Sequence, residues 1–405
     1  MKPRLLIILN RLATGGPASN TLALAEAMHQ HFEILLIAGN PLPEEQSAAY
    51  LLDKYQGFET RIIPDFKRTL SPFRDFLTYK KIVRIIREFK PEIVHTHGSK
   101  PGLLGRLAAS RCKVPLIVHT YHGHVFKSYF SHFISQLIIR TERVLAKKSH
   151  VLIAINRQLR KELIEVYKIA AASKVYLNRL GIDAVYFQNV NAEFREQFRR
   201  EFLLNDDVVV VAIVGRLVKI KNHRLFIDIA KRLLQEHSDH YRYVFFVIGD
   251  GEEYESLETY AQSSGLRLLR KNQSADKEFD IAFTSWRKDI DKVMAGIDIL
   301  LMTSLNEGTP VAILEAMSAG KPIVSTPVGG IPELLNEAEC GATADNENEI
   351  VQQIRLFAES PTQRILKGEK GKNYVKMNLS VENQAKELTR TLLERLHSFQ
   401  TAHIQ

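Results

Sequence analysis

The feature that most constrains this chain is a rhythm. Short apolar runs rich in β-branched residues alternate with longer segments of helical periodicity. In the first half the runs are Leu5–Leu9, Glu33–Ala38, Thr60–Ile63, Ile93–Thr96, Leu116–Thr120, Val151–Ile155 and Lys174–Leu177. In the second half they are Val208–Val214, Tyr243–Ile248, Ile281–Thr284, Ile299–Thr303 and Pro322–Ser325. Most lack strict polar–apolar alternation, so both faces of each strand should be covered, as in parallel sheets flanked by helices. The clearer helical patterns are Asn20–Met28, Leu77–Phe89, Ser131–Ala146, Leu225–Glu236 and Ile350–Phe357. Strand–helix–strand repetition of this kind predicts doubly wound α/β domains.

The rhythm breaks over Gly181–Asp206, a polar, charged stretch before the fresh run at Val208. A chain of 405 residues suits two or three domains. The expected organisation is a Rossmann-like domain over 1–185, a second over 186–380, and a segment 381–405. That last segment reads as an amphipathic helix over Val381–His397, expected to pack back toward the first domain. Open α/β sheets hold ligands at the carboxyl ends of their strands. Two such domains facing each other would form a cleft, with functional residues just after strands.

Composition removes several classes. Hydrophobic residues at 45% and charged residues at 25% exclude a disordered, collagen-like or coiled-coil chain. The two cysteines, Cys112 and Cys340, are too few for a disulfide scaffold or a cysteine-built zinc site, and read as inert core thiols. The longest purely apolar stretch, Val208–Val214, is far short of the ~18–20 residues of a spanning helix. The opening Met1-Lys2-Pro3-Arg4 and Leu5–Leu9 resembles a signal peptide only superficially. Asn10 and Arg11 end the apolar run too early, so the segment reads as a first strand and the chain as cytoplasmic.

Charge is uneven. The net value is +9, made of +14 over residues 1–190 and −5 over 191–405. A basic first half suits an anionic partner, and nucleic acid and an anionic membrane surface are both candidates. Phe126–Lys148 carries Phe126, Tyr129, Phe130, Phe133, Ile134, Leu137 and Ile138 beside Lys127, Arg140, Arg143, Lys147 and Lys148. It could lie on an anionic bilayer, while most of its length is expected to pack on the first sheet. No nucleic-acid module is recognisable, so no nucleic-acid partner is expected.

The densest motif is Asn306-Glu307-Gly308-Thr309-Pro310-Val311-Ala312-Ile313-Leu314-Glu315-Ala316-Met317-Ser318-Ala319-Gly320-Lys321-Pro322, directly after the run Ile299–Thr303. Gly308 or Thr309 can start a helix with Pro310 in its first turn, and Gly320 can stop it. The N–H groups of such a helix start favour a diphosphate. Glu307 lies in the loop before it. Glu315, eight residues on, sits in an otherwise apolar helix and requires a partner or a ligand. Arg216 and Lys221 follow Val208–Val214 and could clamp a diphosphate. Gly15-Gly16 follows the first strand, where close backbone approach to a phosphate or sugar is allowed. His95 and His97 end another strand, and His122 and His124 follow Leu116–Thr120. Gly249-Asp250-Gly251 lacks the third glycine of a dinucleotide fingerprint.

Taken together, the Glu307/Glu315 pair, Ala316-Met317-Ser318-Ala319-Gly320-Lys321-Pro322, Val328-Gly329-Gly330-Ile331-Pro332-Glu333, Gly15-Gly16, Val94-His95-Thr96-His97-Gly98, Thr120-Tyr121-His122-Gly123, Gly215-Arg216-Leu217 through Lys221, and Gly249-Asp250-Gly251 closely resemble the family-four retaining glycosyltransferases. The resemblance spans most of the chain and implies the GT-B fold. It implies transfer of a sugar from a nucleoside diphosphate sugar to a hydroxyl acceptor in surface polysaccharide or glycolipid synthesis.

By the same resemblance, Arg216 and Lys221 stabilise the leaving diphosphate, Glu307 orients the donor sugar and Glu315 binds ribose hydroxyls. His122 would contact the sugar. Gly15, Gly16, Gly249, Gly251, Trp286, Gly308, Thr309, Pro310 and Val311 would line the donor, and His95, His97 and His124 the acceptor side. Family members often carry Gly where Ser285 stands. No cofactor beyond the nucleotide sugar is implied, with UDP favoured over GDP, and the acceptor would be a glycan or a lipid-linked glycan. No metal is expected, because Asp289-Ile290-Asp291 sits at a helix start, where acidic residues favour the dipole. The location implied is the cytoplasm, at the inner face of the membrane. An epimerase or phosphorylase of the same fold, or a non-catalytic nucleotide-sugar binder, is the alternative.

Overall fold

The computed structural model describes residues 2–402 apart from 14, 42–46, 67–70, 124–125, 127–130, 184–186, 188–189, 191 and 237–239. The chain divides into two compact units. One is Met1–Gly181 with Leu379–Gln405, and the other is Ile182–Asn378.

The first unit holds a parallel sheet of strands β1 (Arg4–Arg11), β2 (Glu33–Gly39), β3 (Glu59–Ile62), β4 (Ile93–His97), β5 (Leu116–Tyr121), β6 (Val151–Ala154) and β7 (Val175–Leu177), in the order β3-β2-β1-β4-β5-β6-β7. β1 is buried on both faces because its apolar run is continuous. Leu5, Ile7 and Leu9 pack on helix Gly16–Met28 and on the C-terminal helix Val381–Ala402. Leu6 and Ile8 pack on helices Pro72–Phe89 and Ser99–Arg111.

The C-terminal helix thus belongs to the first unit. It inserts Val381, Ala385, Leu388, Leu392 and Leu396, spaced to form one stripe. Each leucine so buried contributes about 1.5–3 kcal/mol. Gln384 fixes the register through its amide. Its Oε1 accepts from Asn20 Nδ2 at 2.8 Å and from the Gly181 N–H at 2.9 Å.

The second unit repeats the plan with β8 (Val208–Val214), β9 (Arg242–Ile248), β10 (Leu268–Leu269), β11 (Ile281–Ser285), β12 (Ile299–Met302), β13 (Ile323–Ser325) and β14 (Gly341–Thr343). The order is β10-β11-β9-β8-β12-β13-β14, again parallel. Val209, Val211 and Ile213 face helices His223–Leu234 and Glu347–Glu359. On the other side of the sheet, Phe246 packs on Phe198 and Phe202, with ring centroids 5.2 and 4.8 Å apart.

Three differences from the sequence reading have physical causes. The boundary lies at Gly181/Ile182, not after 185, because the Gly181 backbone is tied to Asn20 and Gln384. The polar stretch before Val208 contains helix Ala192–Glu201. Its Arg195 and Arg199 reach Asp298 at 2.9 and 3.4 Å. Strands β10 and β14 had no signal in the sequence, being two- and three-residue strands at the sheet edges without an apolar run.

In each sheet the strand order reverses at one place, between β1 and β4 and between β8 and β12. Ligands of open α/β sheets bind outside the carboxyl ends of strands at such switch points. No described helix is long and apolar enough to cross a membrane.

Candidate active site

The second switch point is built from three loops. After β8, Gly215 has a φ of 155° and donates its N–H to Ile248 O at 2.9 Å, while the Leu217 N–H donates to Asp250 O at 3.0 Å. This lays the Gly215-Arg216-Leu217 turn on the Gly249-Asp250-Gly251 turn. A Cβ on Gly249 would stand 2.0 Å from Gly215 O, so the two backbones touch only because the side chain is absent. The chain then forms a short turn over Lys219–Lys221, passes Asn222 at a φ of 51°, and enters helix His223–Leu234.

That turn aims Lys221 at the loop after β12. Lys221 Nζ lies 2.5 Å from Glu307 Oε1, and Ser304 Oγ donates to the same oxygen at 2.7 Å. Both charged side chains are mostly buried, at 19% and 11% exposure. The Glu307 loop is held on both sides. Leu305 N donates to Ile220 O at 2.8 Å, and Gly330 N donates to Gly308 O at 2.9 Å. Gly329 has a φ of 58°, and a Cβ there would fall 1.8 Å from Glu307 O. The Val328-Gly329-Gly330 motif therefore serves as the floor under Glu307.

Pro310, at φ −67° and ψ 124°, precedes the helix instead of occupying its first turn, and the helix begins at Val311, past both Gly308 and Thr309. Gly308 and Thr309 lead into it, and Gly320, at a φ of 70°, follows its end. Within it Glu315 is half-buried, and no donor to its carboxylate is found among the described residues. Burial pushes its carboxyl up to about 7.

Ser285 adopts a φ of 60°, a conformation that favours glycine. It is held there by its Oγ, which donates to Asp250 Oδ2 at 2.7 Å, and by its carbonyl, which accepts from Gly249 N at 3.0 Å. Trp286, half-buried, follows directly. Asp289 is the N-cap residue of helix Ile290–Gly296 and pairs with Arg287. Burial pushes its carboxyl up, but the Arg287 hydrogen bond and charge prevail and hold it below the usual range. Among the described residues no group of three or more His, Cys, Asp or Glu side chains could hold a metal ion.

In the first unit, Gly15, at a φ of 148°, precedes helix Gly16–Met28, and its carbonyl accepts from Ser19 N at 3.1 Å. The helix thus begins at Gly16, four residues before the apolar pattern Asn20–Met28. The histidines form a cluster at the ends of β4 and β5. His95 Nε2 and Thr120 Oγ1 are 2.7 Å apart, and His97 Nδ1 and His122 Nε2 are 2.9 Å apart. His95 and His97 do not line a surface. Both are fully buried, at 1% and 2% exposure, because alternate residues of an interior strand point into the layer beneath the helices. Burial, and secondarily the neighbouring His122, pushes His95 down to about 3, and burial pushes His122 to about 4. His122 is half-buried. His124 lies outside the described residues.

Sequence reasoning missed the support under His122. Arg106, fully buried, donates twice to Glu142, at 2.9 and 2.7 Å, and once to Gly102 O at 2.6 Å. Tyr121 donates its hydroxyl to Glu142 Oε2 at 2.7 Å. This network anchors the residue immediately before His122. Its only signal in the sequence was a glutamate on the inward stripe of a basic helix.

Helix His132–Lys148 buries Ser135, Ile139, Glu142, Leu145 and Ala146. It leaves Phe133, Ile134 and Leu137 exposed at 80%, 44% and 57%. The large apolar residues of its first turns thus face outward. Phe126 is buried, while Lys127, Tyr129 and Phe130 lie outside the described residues.

Comparison with known proteins gives a consistent answer. Residues 194–374 match the family model for glycosyl transferases group 1, and residues 14–185 match that for glycosyltransferase family 4. The chain is 30% identical over 308 residues to an Escherichia coli protein, UDP-Gal:alpha-D-GlcNAc-diphosphoundecaprenol alpha-1,3-galactosyltransferase, covering 75% of this chain and 73% of that one. Among solved structures it is similar to sucrose-phosphate synthase from Thermosynechococcus elongatus, with a TM-score of 0.79 at 16% identity, covering 98% of this chain and 100% of that one. HepE of Anabaena, solved with UDP-glucose, gives a TM-score of 0.77 at 17% identity over 96% and 99% of the two chains. The fold is that of the GT-B glycosyltransferases.

Proposed function

This chain belongs to the family-four, group 1 glycosyltransferases, and we propose that it moves a sugar from a UDP-sugar to a hydroxyl of a lipid-linked or polymeric surface glycan, with retention at the anomeric carbon. The observation that carries the reading is the ion pair of Lys221 and Glu307 across the second switch point, 2.5 Å in length. It sets a cation for a diphosphate and a carboxylate for a sugar side by side, in front of the first turn of helix Val311–Ser318.

In the proposed reaction, Arg216, Lys221 and the N–H groups of that first turn neutralise the diphosphate. Lys221 exchanges its bond to Glu307 for one to a phosphate oxygen, and Glu307 then accepts from sugar hydroxyls. Glu315 accepts from the ribose hydroxyls, Trp286 lies by the base and His122 meets a sugar hydroxyl. The bond from the anomeric carbon to the phosphate oxygen breaks. The acceptor oxygen bonds to the same face, and its proton passes to the leaving phosphate oxygen. These cationic groups do the work that a divalent ion does elsewhere, so metal independence is part of the proposal.

The choice of UDP and of a lipid-linked acceptor is supported by what the relatives bind. The E. coli enzyme is named for UDP-Gal and a diphosphoundecaprenol-linked sugar, and HepE was solved with UDP-glucose. The exposed Phe133, Ile134 and Leu137, in a unit rich in Lys and Arg, support contact with an anionic membrane at its cytoplasmic face.

The test is transfer from radiolabelled UDP- and GDP-sugars to undecaprenyl-diphosphate-linked GlcNAc in anionic vesicles, with and without EDTA, followed by NMR of the product linkage. An α-linked product from an α-linked UDP-sugar, unaffected by EDTA, is expected. Use of GDP-sugars alone, an inverted linkage, or loss of activity with EDTA would overturn the corresponding part.

A further inference from the structure

Where β4 ends and β5 gives way to the following loop, two imidazoles share one hydrogen bond. His97 Nδ1 is 2.9 Å from His122 Nε2, with ring centroids 5.1 Å apart. Burial pushes both rings to pKa values below the ordinary one, so both are neutral at physiological pH. One nitrogen of the contact therefore carries a proton and the other a lone pair.

The far nitrogen of His97 decides between them. His97 Nε2 is buried and has no hydrogen-bond partner among the described residues. If His122 donated, His97 would carry its own proton on Nε2, leaving a buried N–H with no acceptor. If His97 donates, Nε2 holds only an unused lone pair. Orphaned buried N–H groups are rarer than under-used acceptors. The ring is also held in place, since His95 packs on it with centroids 4.2 Å apart and is itself bonded to Thr120. On the other side of the contact, the half-buried His122 has no protein partner for its Nδ1 among the described residues.

We propose that His97 is a positioning residue. Its Nδ1–H donates to His122 Nε2 and locks His122 in the Nδ1–H tautomer, so the nitrogen that His122 presents to a ligand is a hydrogen-bond donor for a hydroxyl oxygen and not a base. The consequence for turnover rests on the reading that His122 meets the donor sugar. The tautomer does not.

The test uses the full-length chain labelled with 15N-histidine, with the His122 signals assigned through His122→Gln. Long-range 1H–15N correlations are expected to show His122 protonated on Nδ1. His97→Asn, whose amide nitrogen can replace Nδ1, is expected to keep this tautomer and near wild-type kcat. His97→Phe is expected to keep the ring volume, release the tautomer and lower kcat by about tenfold, the scale of one hydrogen bond. A proton on His122 Nε2 in the wild-type chain overturns the proposal without any variant. Equal losses of kcat in His97→Asn and His97→Phe overturn it as well. Full turnover in His122→Ala would instead remove the sugar contact and leave the tautomer standing as measured.

Discussion

Lys221 and Glu307, 86 positions apart in sequence, meet at 2.5 Å where β8 and β12 diverge. Neither strand end alone makes a site. The strand order, which sets β8 beside β12 with β13 beyond, brings the two loops together.

From this pair, Lys221→Ala and Glu307→Gln should each retain the fold and lose turnover by about 100–1000-fold, the usual cost of removing one group that stabilises developing charge. Steady-state kinetics beside a thermal melt check it. Undiminished turnover in both variants would remove these residues from the reaction.

Glu315 makes a pH prediction whose sign is set by its raised carboxyl, up to about 7. Between the ordinary carboxylate range, near pH 4.3, and 7 the unfolded chain has released this proton and the folded chain has not. Stability therefore falls as pH rises through that window and levels off above it. Glu315→Gln should remove that component of the slope in urea titrations at pH 5 and 7.5. If the ionised carboxylate binds ribose, UDP affinity measured by calorimetry should also rise from pH 6 to 8 in the wild type and not in the variant.

Arg106 and Glu142 predict a large effect on the stability of the first unit. Arg106 is fully buried, and the bonds from its Nη2 to both oxygens of Glu142 and from its Nε to Gly102 O compensate its burial. Glu142→Ala should destabilise the first unit by about 3–5 kcal/mol, read from urea unfolding. Arg106→Met combined with Glu142→Leu should be milder than Glu142→Ala alone. A single-variant loss under about 1 kcal/mol would show that water reaches Arg106.

Phe133→Ser with Leu137→Ser should leave the melting temperature within a few degrees of wild type, because both side chains are exposed. Flotation with anionic vesicles should drop in the double variant and also at high salt. Unchanged flotation at low salt would exclude this face as the membrane contact.

The apolar rhythm of the sequence determined the α/β class, twelve of the strands and the position of nearly every motif just after a strand. It could do so because a parallel strand needs a continuous apolar run and a helix needs its period, and both are local properties. The pairing of Lys221 with Glu307 was decided only in three dimensions, since each residue alone is a charged side chain after a turn. The same holds for His95 and His97. Their places at a strand end suggested an exposed role, and the covering helix layer buried them instead. Which face of helix His132–Lys148 is covered was decided in the same way. The sequence allowed its apolar residues to meet either the first sheet or a bilayer, and the Arg106–Glu142–Tyr121 bonds set Glu142 inward and leave Phe133 and Leu137 exposed. Local pattern chooses the elements, while charge partners distant in sequence choose which face of each element is covered.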